Sequence, residues 1–252
     1  MASTSETGHS KNVSNFDELV SFVVGYGTSY NPSKASLKLT ALQTLSTNAK
    51  SELLAAKVAE TARNNAANSR EIAFKSLKKL STRIINALDS TDATKQTVAD
   101  AITVNHKIQG SRANTKKTVV DTQIESEPNV TPTIEHKQIS VSQQSFDSLI
   151  DNFSKLIQIV STETLYAPNE ADLKATALNT LLSNLKTANA LVVSTTTTYS
   201  NAILTRNNTF YQTSTGLIDI ALDVKKYVKS VFGATSPQYK QISNIQFRKS
   251  KI

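Results

Sequence analysis

The sequence predicts an all-α protein made of two duplicated long-helix repeats. Three observations carry that expectation. Turn residues are scarce, with 6 Gly and 5 Pro in 252 residues, whereas a sheet protein of this length would need many Gly- and Pro-bearing turns. Apolar residues step by threes and fours over long stretches, the spacing of one helix face. The chain also repeats itself: "NAANSREIAF" begins at Asn65 and "NAILTRNNTF" begins at Asn201. The shift that carries Asn65 onto Asn201 also carries Tyr30 onto Tyr166 and Pro32 onto Pro168. It carries Leu37-Lys38 onto Leu173-Lys174, and Thr40-Ala41-Leu42 onto Thr176-Ala177-Leu178. No gap is needed across that match, and it implies an internal duplication of roughly 100 residues. Two copies fit two similar bundles of antiparallel helices, or one bundle with a pseudo-two-fold axis.

Residues 1–13 read as a disordered start and residues 14–109 as the first repeat. The repeat opens with a short amphipathic helix whose face carries Phe16, Leu19, Val20 and Val23. "GYGTSYNP" stops it, and Ser33 after Pro32 is a suitable N-cap for the next helix. From Ser33 to about Leu88 there is neither Gly nor Pro. One unbroken helix of about 55 residues would span ~80 Å. The alternative is a hairpin turning at "RNNAANS", because Asn is a poor helix former. The apolar stepping of Ala59, Ala62, Ala66, Arg70, Ala73, Leu77, Leu80 and Ile84 passes through that stretch in register, which favours continuity. A third helix, roughly 92–108, closes the repeat.

Residues 110–140 are polar, carry Pro128 and Pro132, and show no sustained period. They read as a flexible linker. The second repeat, 141–252, opens with Phe146, Leu149, Ile150, Phe153, Leu156, Ile157 and Val160 on one face. Its "SFDSLIDNF" resembles "NFDELVSF" of the first repeat at a slightly smaller shift. "LYAPN" stops this helix and Asn169 is the matching N-cap. A long helix again follows, stepping from Leu178 through Arg206 and Phe210 to Val228, with "STTTTYSN" as the candidate turn. A short helix near 236–247 leads into a basic tail.

Composition excludes several kinds of chemistry. There is no Cys, so disulfides, thiolate metal sites and a Cys nucleophile are ruled out. The three histidines are His9, His106 and His136. None stands four residues from another or beside clustered carboxylates, so neither a zinc site nor a nucleophile–His pair emerges. "GYGTSYNPSK" lacks phosphate-loop and dinucleotide spacing. No catalytic residue, metal site or cofactor is expected, and the chain reads as a non-enzyme. No stretch approaches the length of a membrane-spanning helix, and the start does not read as a secretory signal, so a cytoplasmic protein is expected.

Two sets of residues are candidates for function. Arg70, Phe74, Arg206 and Phe210 form the repeated motif on the helical seam. A guanidinium there can bond a facing helix and fix register, and a sharper version makes the two arginines an anion site facing a shared cleft. The second set is basic. The formal net charge is +8, and no acid occurs after Asp223. Lys75, Lys78, Lys79 and Arg83 make a basic face in the first repeat; Lys225, Lys226, Lys229, Arg248 and Lys249 do so in the second. Such faces can bind polyanions, nucleic acid included. The leading expectation is a structural or scaffolding protein that binds protein partners or assembles with copies of itself. The alternative is a polyanion-binding helical module.

Overall fold

The computed structural model describes residues 4–110 and 144–249, with only the backbone described for 4–7. The linker assigned to 110–140 therefore lies, Gly110 apart, outside the described residues, as does His136. Among the described residues the fold is all-helical with no strands.

The first helix, α1, runs over Thr4–Gly25. The expected disordered start at 1–13 is thus corrected for residues 4–13. Val13, Asn12 and His9 are buried on the same face as Phe16, Leu19 and Val23, so the amphipathic stripe begins further upstream than the larger apolar residues suggest. A 3-10 turn at Ala35–Leu37 precedes α2, Leu39–Phe74. The expected cap at Ser33 is not used, nor is Asn169: an extended Lys38 (φ −62°, ψ 145°) and an extended Lys174 (φ −64°, ψ 141°) set the chain before each long helix.

Helix α2 passes straight through "RNNAANS" and then stops at Phe74. The break differs from both expected forms. Lys75 N–H bonds back to the Ile72 carbonyl at 3.2 Å, a tightened last turn, and Ser76 keeps near-helical angles (φ −89°, ψ −9°). Helix α3 then spans Leu77–Asp89. Helix α4, Lys95–Gln109, starts on the Thr94 hydroxyl and ends at Gly110, whose left-handed φ of 76° closes the helix.

The second half follows the same order. Helix α5, Phe146–Thr162, is capped by Ser145. A 3-10 turn at Ala171–Leu173 leads into α6, Ala175–Tyr211, which runs unbroken through "STTTTYSN". Helix α7 is Leu217–Phe232 and α8 is Pro237–Ser243, capped by Ser236 with Pro at its first position. The turn between α6 and α7 is longer than that between α2 and α3, so the spacing that relates the two helices after it differs from the spacing that relates α2 and α6. Beyond it Leu77, Ser81, Ile84 and Leu88 correspond to Leu217, Ala221, Val224 and Val228, and all eight are buried. The opening helices also differ from the expected alignment. Their buried positions match Asn15, Phe16, Leu19, Val20 and Val23 with Asn152, Phe153, Leu156, Ile157 and Val160. Phe16 thus pairs in pattern with Phe153, not Phe146.

The described residues form two compact units. Unit 1 takes the chain up to Ala66 and from Val192 onward; unit 2 is Ala67–Leu191. The chain passes from unit 1 into unit 2 along α2 and returns along α6. The units consequently do not coincide with the segments 14–109 and 141–252: each combines the opening of one segment with the close of the other. The core of unit 1 gathers Phe16, Leu19 and Val23 of α1 with Phe210 and with Leu217, Ala221, Val224 and Val228 of α7. The core of unit 2 gathers Phe153, Leu156 and Val160 of α5 with Phe74, Leu77, Ile84 and Leu88. Each large apolar side chain removed from water in this way stabilises the fold by about 1.5–3 kcal/mol.

Candidate functional site

The repeated arginine sits near the end of each long helix, one turn before a fully or nearly buried Phe (Phe74, 7 % exposed; Phe210, 0 %). In unit 2 the Arg70 guanidinium lies 3.9 Å from the Phe146 ring centroid and donates to Asn189 Oδ1 at 3.0 Å. Asn189 in turn donates to Asp147 Oδ1 at 2.7 Å. Phe146 also meets Phe74 edge-to-face at 4.8 Å. The arginine therefore ties the end of α2 to the start of α5 and to α6, by cation–π contact and a relayed hydrogen bond. In unit 1 Arg206 is buried and donates to Asn207 Oδ1 at 3.0 Å. Phe210 there meets His9 edge-on at 5.4 Å and Tyr211, tilted, at 5.9 Å. His9, 2 % exposed, is thus a core residue of α1 and not part of a disordered arm. The two arginines fall in different units, each held by neighbours of its own.

The basic residues are mostly engaged. Lys225 is half-buried. It donates to the Ser243 carbonyl at 3.1 Å and to the Ile245 carbonyl, and burial pulls its pKa below the ordinary lysine value. Lys226 pairs with Asp223 at 3.2 Å, and Lys229 stands 5.7 Å from the Tyr239 ring. Lys249 pairs with Asp219 at 3.1 Å, while the Arg248 side chain is exposed. In unit 2 Lys78 donates to the Gln109 carbonyl at 3.2 Å, and Arg83 forms a two-point pair with Asp172. Lys75 and Lys79, one turn apart and both exposed, form no ion pair with described residues. A groove of about 390 Å³ runs beside Lys79, Arg83 and Asp172 over a floor of Leu80, Ala177 and Leu181.

The tail is not a free arm over its described length. The Asn12 amide accepts from Arg248 N–H at 3.0 Å and donates to the Arg248 carbonyl at 2.8 Å; Asn15 donates to the Gln246 carbonyl at 2.6 Å. Two buried amides on α1 thus read the main chain of residues 246–248. Ile245 is buried beside them. Sequence reasoning missed this seat. Its signal was an Asn pair three residues apart on the face that carries Val13, Phe16 and Leu19.

Charges of opposite sign occupy corresponding positions on α3 and α7. Arg83 on α3 meets Asp172, whereas Asp223, at the corresponding position on α7, meets Lys34 at 2.7 Å. The hydrogen bond from Arg83 holds the Asp172 carboxyl below its ordinary value, and that from Lys34 does so for Asp223. Asp219 is lowered first by the Ser214 N–H and then by Lys249.

Among the described residues no group of His, Asp and Glu could hold a metal ion, and no helix is long and apolar enough to cross a membrane. No protein-family model, curated protein or solved structure matches the chain.

Proposed function

We propose that the protein is a non-enzymatic helical scaffold, acting in the cytoplasm, that uses its long helices to associate with copies of itself. The observation that carries this reading is apolar exposure on unit 1's stretches of those helices. Leu54 and Val58, one turn apart on α2, are 63 % and 61 % exposed; Val193 and Leu204, three turns apart on α6, are 63 % and 59 % exposed. Each pair shares one helix face, and none of the four belongs to the buried core of unit 1. Leu54 and Val58 adjoin on one face, the arrangement that an apolar protein-binding surface would use. The test is the Leu54→Glu/Val58→Glu variant, which should keep its helicity and lose association. An unchanged assembly size in a folded variant would remove the support.

The two halves also look like products of one duplication. A bond from a Tyr hydroxyl to a carbonyl seven residues on (Tyr30 to Leu37, Tyr166 to Leu173), the 3-10 turn, the long helix and the buried Phe recur in the same order, with register shifts confined to the turns. A second reading, nucleic-acid or other polyanion binding, is favoured by Lys75 and Lys79, which no described acid neutralises. Affinity should then fall steeply with salt, and Lys75→Ala/Lys79→Ala should weaken it. Retained binding by that variant would count against this reading.

A further inference from the structure

We propose that the charges at Lys34, Arg83, Asp172 and Asp223 decide which closing helix each half of the chain receives. Apolar packing alone discriminates poorly. The opening helices α1 and α5 bury the same pattern, and so do the closing helices α3 and α7. Cores tolerate exchange between sets of such similar volume and spacing. Charge breaks the equivalence. Arg83 and Asp223 occupy the same position on α3 and α7, with opposite sign. Their partners are also reversed: Asp172 lies within the 3-10 turn before α6, and Lys34 lies at the start of the turn before α2.

The competing arrangement is specific. If α2 turned back at "RNNAANS" and α6 at "STTTTYSN", each closing helix would return to its own opening. Arg83 would then face Lys34. Asp223 would face Asp172 and Glu170, the latter standing at the position of Lys34. Both attractions become repulsions together. An exposed ion pair contributes little to stability by itself. Choice between two packings depends on a difference, however, and here the contacts all change sign in the same direction. The device is independent of whatever partner the long helices take.

The chain has no Cys, so introduced thiols are unique labels for a short bis-maleimide. Ser33→Cys with Lys226→Cys reports the observed pairing. Ser33→Cys with Asn86→Cys, the matching position on α3, reports the self-returned one. With natural charges the first pair should link within one chain and the second should not. In an Arg83→Asp/Asp223→Arg background, linking of the first pair should drop, linking of the second should rise, and the thermal midpoint should fall. Adding Lys34→Asp and Asp172→Arg restores both attractions and should restore the original linking and midpoint. This fourfold variant keeps the test decisive if the double variant fails to fold. An unchanged link pattern and midpoint in the double variant, or no recovery in the fourfold one, would overturn the proposal.

Discussion

The Tyr30 hydroxyl donates a 2.8 Å hydrogen bond to the Leu37 carbonyl, seven residues on. Tyr166 makes the same bond to Leu173 at 3.0 Å. Each bond ties the segment after an opening helix to the 3-10 turn before a long helix. Both hydroxyls are buried, and burial raises their pKa values, that of Tyr166 to about 12. Tyr30→Phe and Tyr166→Phe each leave a buried carbonyl unpaired, and each should cost about 1–3 kcal/mol by denaturant unfolding at neutral pH.

The same tyrosines predict an alkaline limit. A folded pKa above the unfolded value of about 10 gives a contribution that is complete below pH ~10. It is lost as pH rises toward the folded value. Unfolding midpoints should therefore fall above pH ~10, and less steeply in the double Phe variant.

Carboxylates set the acid limit with the opposite sign. Asp172, Asp219 and Asp223 have folded pKa values below their ordinary ones. Their contribution is present above an unfolded value of about 3.9 and is lost as pH falls through the folded values. A pH series of urea midpoints should decline below pH ~4, and Asp219→Asn/Asp223→Asn should flatten that decline.

The turn between α6 and α7 makes a steric prediction. A Cβ on Gly216 would stand 2.6 Å from Gln212 N and 2.7 Å from Gln212 O, both main-chain atoms. Gly216→Ala should therefore lower stability by more than about 1 kcal/mol, the ordinary scale of a point change. Ser214 in the same turn has a φ of 66°. Ser214→Gly removes the left-handed strain and should be neutral or stabilising by up to about 1 kcal/mol. Gly25, with nothing within 4 Å of an added Cβ, is the control, since Gly25→Ala should be tolerated.

Tail docking is testable through Asn12 and Asn15. Asn12→Ala/Asn15→Ala removes three hydrogen bonds to residues 246–248. Amide exchange of those residues should accelerate while that of α3 in unit 2 stays unchanged.

Much of this architecture was legible because Pro, Gly and apolar spacing are local signals. Pro32 and Pro168 mark the stops, and the seam through Ala66 and Arg70 shows α2 continuing. Other features were hidden for physical reasons. The break at Lys75–Ser76 has no Gly or Pro and keeps Ser76 at near-helical angles, so apolar stepping runs through it. The early start of α1 depends on His9 and Asn12, polar residues buried by partners far along the chain. The Arg83–Asp172 and Lys34–Asp223 pairs join opposite halves, which no local pattern reports. The sequence likeness set Phe16 against Phe146, whereas the burial pattern sets it against Phe153, because Phe146 packs on Arg70 at the edge of the core while Phe153 fills the interior.

The most direct test of the scaffold reading is absolute mass by size-exclusion chromatography with light scattering, after nuclease treatment, at low and high salt. A defined oligomer or larger assembly at both salts is the predicted result, because apolar contacts through Leu54 and Val58 are not screened. A monomer at both salts would contradict it.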